Sequence, residues 1–228
     1  MYQLFRRFLD LWYPPCCLVC GRPLLETETH ICLSCLYHLP HLSYLSFREN
    51  EAVARLAGRL PFDMAVAALR YQKESSVQTL FESFKYQGNK DLAYYLAKVA
   101  ARPLYQQSFF DDIDVIVPLP LHDKKLKMRG YNQAACIAQA LSSLSALPVD
   151  ENIVRRVKAT DTQTRKNRWQ RQESVNEVFA LLPEANLSGK HVLLVDDVLT
   201  TGASLSACGR ELWRANPAKL SFFALALA

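Results

Sequence analysis

The chain has 228 residues, half of them apolar and 21% charged, which is room for one full α/β core plus a small appendage and the profile of a globular rather than a disordered protein. Its apolar runs are short and broken by charge or proline, well below the roughly 20 residues that a membrane-spanning helix needs, and repeats and low-complexity tracts are absent. The net charge of +5 is concentrated: His122 to Arg171 holds eleven Lys and Arg against four acids, a local balance of +7, while the remainder holds 16 basic and 18 acidic residues. An anionic ligand is the simplest explanation of that stretch, with a solvated basic face as the alternative.

The first element, MYQLFRRFLDLWYPPCC, spaces Leu4, Phe8, Leu11 and Trp12 along one helical face. Asp10 interrupts its apolar stretch and no small-residue cleavage site follows, so a helix docked on the protein's own surface is expected, rather than a leader or a membrane anchor, with a cytoplasmic location. Next come five of the seven cysteines. Cys17-Leu-Val-Cys20 and Cys32-Leu-Ser-Cys35 stand eleven residues apart, the knuckle spacing that brings four thiolates onto one tetrahedral metal. Gly21 relaxes the turn after the first pair. Disulfides, a redox pair and an iron-sulfur cluster are the competing uses of these cysteines; without a secretory signal, and with the motif occurring twice, structural zinc is preferred. Cys16 competes with Cys17 as ligand, and His30 and His38 are surplus to four thiolates. A segment this short needs the metal to fold.

Residues 46–60, of mixed polarity and leading through Gly58 to Pro61, are expected to link a small domain (1–45) to a large one (61–228). The large domain alternates: a strand at 63–71, helices at 76–86 and 91–101 joined at Gly88 and Asn89, a strand at 113–120 cut off by prolines, and a helix at 132–144. A strand at 191–196, a helix at 203–215 and a strand at 220–227 close it. Such alternation implies crossover connections and a mostly parallel α/β sheet covered on both faces, with ligands at the carboxyl ends of its strands.

At the end of the strand HVLLVD stand Asp196 and Asp197, followed by Val198, Leu199, Thr200, Thr201, Gly202, Ala203 and Ser204. Paired carboxylates at a strand end can accept hydrogen bonds from the vicinal hydroxyls of a ribose. A small-residue turn entering a helix offers unpaired amides and the positive end of the helix dipole to a phosphate. Gly202 permits close backbone approach, and the hydroxyls of Thr200, Thr201 and Ser204 add donors. The glycine-rich dinucleotide turn and the Gly-Lys-Ser/Thr of a P-loop are both absent.

All thirteen residues of VLLVDDVLTTGAS (192–204) resemble the phosphoribosyl pyrophosphate loop of type I phosphoribosyltransferases. Three further segments are similar to elements of the ComF family, which joins a four-cysteine finger to a phosphoribosyltransferase domain: FKYQGNKDLA (84–93), VPLPLHDKKLKMRGYNQA (117–134) and TDTQTRKNRWQR (160–171). One departure is Ser174-Val175 where that family usually has Asn-Val, which preserves a hydroxyl but not the amide's two-sided bonding. The resemblance implies a type I phosphoribosyltransferase-like parallel sheet with a small N-terminal zinc-binding domain. It further implies a loop at 121–131 that holds pyrophosphate, with Arg129 and then Lys85 as its cations. A hood at 160–171 would close over the site, bringing Gln163, Arg168 and Arg171 to the polyphosphate. The implied reaction is a magnesium-assisted phosphoribosyl transfer in which Asp196 and Asp197 favour positive charge on the ribose; the acceptor is not legible. The competing reading is a site that senses the ligand without turnover, in a protein that binds single-stranded DNA or DNA-uptake proteins through its basic segment and aromatics such as Tyr131 and Trp169.

Overall fold

The computed structural model describes residues 14–157 and 178–228. The N-terminal amphipathic stretch, the hood residues Gln163, Arg168 and Arg171, and Ser174-Val175 lie outside them. Four parallel strands form the central sheet in the order β1-β6-β5-β2: β1 (Ala65–Arg70), β2 (Val115–Pro118), β5 (His191–Leu199) and β6 (Lys219–Leu227). β3 (Val154–Arg156) and β4 (Phe179–Leu181) make a separate antiparallel pair. Every central strand is buried along most of its length, so the sequence shows continuous apolar runs rather than alternation.

The two faces of the sheet still separate by parity. Val66, Ala68, Leu193, Val195, Phe223 and Leu225 face one layer of the core, and Ala65, Ala67, Val192, Leu194, Phe222 and Ala224 the other. On the first face lie α3 (Ser76–Tyr86), α4 (Lys90–Ala100) and α7 (Gln133–Ser145). Their N-caps Ser75, Asn89 and Asn132 each accept a bond from an amide of the first turn. Phe81, Phe84 and Phe109 are fully buried in this layer, each contributing roughly 1.5–3 kcal/mol of burial. The second face is covered by α8 (Ala203–Trp213), by the β3–β4 pair and by α2 (Glu51–Leu56).

The last of these, α2, lies within residues 46–60, where a linker was expected. Asn50 caps α2 through the Ala52 and Val53 amides while its Nδ2 donates to Ser46 O and Ala65 O, and Ala52 and Leu56 are completely buried. A helix of six residues is too short to announce itself by periodicity. The short helices α5 (Arg102–Gln106) and α6 (Asp123–Arg129) and the β3–β4 pair escape sequence reading for the same reason. In α6 the pyrophosphate loop expected at 121–131 becomes a helix: His122 caps it through Nδ1, and Gly130, in the left-handed region at φ 79°, ends it.

The cysteine-rich segment carries α1 (Leu33–Tyr37) and packs against the main core. Leu42 N donates to Ala68 O and Arg70 N to Pro40 O, and His41 bridges Leu69, so this segment runs antiparallel along the free edge of β1. Ile31 and Leu39 belong to the same core layer as Phe81 and Phe109. Among the described residues, no helix is long and apolar enough to cross a membrane.

Candidate functional site

The sulfurs of Cys17, Cys20, Cys32 and Cys35 all lie within 4.8 Å of one another. Cys20 Sγ and Cys32 Sγ are 3.8 Å apart, which is the edge of a tetrahedron with metal–sulfur bonds of roughly 2.3 Å. The donor set therefore fits a four-coordinate zinc finger. Burial opposes charge on Cys17, but the amides of Cys32, Cys20 and Val19 outweigh it and bring this thiol down to about 6. Burial, then the surrounding sulfurs, push Cys35 up to about 12, as expected of four thiols crowded where a cation belongs. Cys16, which competed with Cys17 on sequence, is exposed and donates to Pro14 O. His38 is tied to Ser34 O, and His30 packs on the ring of Tyr95. Sequence reasoning missed Glu28, whose buried carboxylate accepts from the Leu25 and Leu33 amides and pairs with Arg22, holding the two knuckles together.

The second site lies beside β5 where its neighbour β2 ends, with Pro118 in register with Val195. Beyond this point Asp196 and Asp197 face one wall of a cavity of about 260 Å³. Thr200 and Ser204 border the same cavity, and an adjoining hollow of about 60 Å³ is enclosed by the loop from Val198 to Leu205. That hollow holds about two waters' worth of volume at roughly 30 Å³ each, a fit for a phosphate group. Gly202 opens α8 at φ 73° and, having no side chain, does not cap the first-turn amides of the helix.

Two features shape the loop from behind. Arg55 of α2 donates from Nη1 to Thr200 O at 2.9 Å, and a β-carbon on Gly202 would come within 2.7 Å of Leu56 Cδ2 and 3.2 Å of Arg55 O. Gly202→Ala is therefore expected to lower stability by about 1–3 kcal/mol, through both the overpacking and the lost positive φ. Thermal unfolding checks this, and an unchanged midpoint would show that α2 yields freely.

The same cavity has a basic lining. Arg129, Lys125 and Arg156 line it with Asn132 and Gln133. Asn132 is held by donating to Leu119 O and accepting from Ala134 N, and the Tyr131 hydroxyl donates to Phe84 O. Arg129 lies over the ring of Tyr86 and donates from Nη1 to Gln133 Oε1 at 2.9 Å. Burial lowers the pKa of Arg156, with Asp196 acting against it. Lys85, expected among the pyrophosphate cations, also borders the cavity but is engaged elsewhere: its Nζ is 2.8 Å from Asp197 Oδ2.

Asp196 accepts from the Asp197 amide at 2.7 Å. Burial, and then the neighbouring charge of Asp197, raise its carboxyl to about 8, although its side chain keeps partial contact with solvent. The structure thus gathers Lys85, Arg129, Asp196, Asp197, Thr200 and Ser204 around one cavity, with Thr201, Gly202 and Ala203 at the adjoining hollow. Lys125, Arg156 and Gln133 are additions that sequence reasoning did not single out, although all three lie in the basic stretch that it marked for an anion.

A family model for the phosphoribosyl transferase domain matches residues 100–227. The chain is 29% identical over 226 residues to Competence protein F of Haemophilus influenzae, covering 93% of this chain and 96% of that one. It is 25% identical over 226 residues to DNA utilization protein YhgH of Salmonella typhimurium, covering 94% and 98%. Among solved structures, glutamine phosphoribosylpyrophosphate amidotransferase from B. subtilis matches with 15% identity and a TM-score of 0.43, over 63% of this chain and 30% of that one. The chain belongs to the phosphoribosyl transferase domain family, as a ComF-type member in which a four-cysteine finger is joined to a type I phosphoribosyltransferase domain.

Proposed function

We propose that this protein binds phosphoribosyl pyrophosphate and supports transfer of its phosphoribosyl group, in the cytoplasm, with zinc in the four-cysteine finger as a structural ion. One observation carries the reading: a pair of acids, the cations Arg129, Lys125 and Arg156, and a loop that lines an adjoining hollow all border a single cavity. The hollow takes the 5-phosphate through loop amides and the hydroxyls of Thr200, Thr201 and Ser204. Asp196 and Asp197 accept from the ribose hydroxyls and favour positive charge developing at the anomeric carbon. Arg129, Lys125 and Arg156 hold the diphosphate, which leaves as the acceptor enters. The site's hard oxygens and the ligand's own phosphates suit magnesium, which when bound supplies neutralisation of the leaving group. Within the cavity the chain supplies position and field rather than a dedicated base.

Calorimetry with phosphoribosyl pyrophosphate and magnesium tests the reading, comparing wild type with Asp196→Asn/Asp197→Asn. Loss of two charge-assisted contacts should weaken binding by about 100-fold or more; equal binding by both proteins rejects the assignment. The names of the relatives, Competence protein F and DNA utilization protein, favour a setting in DNA uptake. Lys124, Lys127 and Arg155 are exposed and could track a nucleic-acid backbone. Titrating a single-stranded oligonucleotide in the same calorimeter separates the two readings, since such binding should fall about tenfold or more between low and moderate salt. No binding at low salt removes the DNA reading.

A further inference from the structure

The basic lining of the cavity contains a donor with a proton to spare. Gln133 is 2% exposed, yet it borders the cavity, and its side-chain Nε2 has no hydrogen-bond partner among the described residues. The orientation of its amide is fixed chemically: Arg129 Nη1 lies 2.9 Å away and can only donate, so the oxygen must face it and the NH₂ must face elsewhere. The Tyr131 hydroxyl is near enough to be influenced by that NH₂, but an amide has two N–H groups, so at least one is left over. Arg129 Nε is likewise buried without a partner. Leaving buried donors unmade is unfavourable, and two of them joined by one hydrogen bond beside a cavity call for an acceptor with several oxygens.

We infer that Gln133 is a specificity-determining residue that both orients Arg129 and donates to the diphosphate of the ligand. The inference rests on the phosphoribosyl pyrophosphate reading of the site and deepens it: the loop at 200–204 recognises what every ribose 5-phosphate shares, and Gln133 with Arg129 recognises the diphosphate that distinguishes the activated form. Lys85, held on Asp197, is not needed for that discrimination.

The test compares affinities for phosphoribosyl pyrophosphate and for ribose 5-phosphate, each with magnesium, in wild type, Gln133→Leu and Gln133→Glu. Gln133→Glu keeps an acceptor for Arg129 but replaces the donor with a charge that repels phosphate. Both variants should bind phosphoribosyl pyrophosphate about 10- to 100-fold more weakly, the range for a hydrogen bond to a charged group. Ribose 5-phosphate should change by less than about threefold, because its contacts lie on the loop. Equal weakening for the two ligands would make Gln133 merely structural and overturn the inference. If Gln133→Leu proves unfolded, Gln133→Glu decides alone. Wild type that binds phosphoribosyl pyrophosphate, with variants that bind it equally well, overturns this inference only; wild type that binds neither ligand overturns the reading of the site as well.

Discussion

Cys32→Ser should strip the metal from the finger and lower the thermal midpoint of the whole protein by about 10 °C or more, whereas Cys16→Ser should leave both unchanged. The contrast follows from geometry. Cys32 Sγ sits in the tetrahedral cluster and accepts from the Cys35 amide, while its own amide donates to Cys17 Sγ; Cys16 lies outside and is exposed. Structural zinc sites contribute about 10–16 kcal/mol of apparent binding energy at neutral pH, which a folded-only site returns as folding energy. Loss of the finger cannot remain local. Residues 40–42 pair with the edge of β1, and Ile31 and Leu39 pack into the layer that holds Phe81 and Phe109, so releasing them exposes the main core and bares an edge strand. Metal analysis by mass spectrometry with a melting curve checks both halves. Full zinc in Cys32→Ser would mean that another group completes the site, and an unshifted midpoint would mean that the finger is an independent appendage.

How far the sequence led depended on whether a signal was local. The strand, turn and helix start at 192–204 were legible because one contiguous run carries them, and two C-x-x-C pairs are as self-contained. The long buried strands and the helices expected at 76–86 and 203–215 were legible from apolar runs and periodicity. What stayed hidden was made by tertiary contact. Nothing in residues 46–60 announces that Leu56 will close behind Gly202, because a six-residue helix has no periodic signature. Lys85 was expected to hold pyrophosphate, and only the packing of α3 shows its ammonium against Asp197. The choice between Cys16 and Cys17 turned on the direction of one side chain. Gln133 stood within a recognisable motif, but its unpaired donor is a property of its surroundings rather than of its spacing.

Asp196→Asn, measured without ligand or added metal, should make the protein more stable than wild type and flatten the pH dependence of that stability. In the folded protein, burial and the adjacent Asp197 raise the Asp196 carboxyl from 3.8 to about 8. Between these values the native state holds a proton that the unfolded chain has lost, so stability falls as pH rises through the window and stays low above it. Below about pH 4 both states are protonated and the penalty vanishes. Asparagine has no charge to bury, so its advantage should grow from pH 4 to 8. Partial solvent contact and coupling to Asp197 moderate the effect, which should reach on the order of 2 kcal/mol, or about 4–8 °C in a chain of this size. Asp197→Asn should behave differently, because it deprives the half-buried Lys85 ammonium of its partner. Parallel pH profiles for wild type and Asp196→Asn would reject the account. An ionisable carboxyl kept where burial opposes its charge, beside a second one, is hard to explain by packing, since asparagine has the same shape. On the proposed reading its value lies in the bound state, where ribose hydroxyls hydrogen-bond to it.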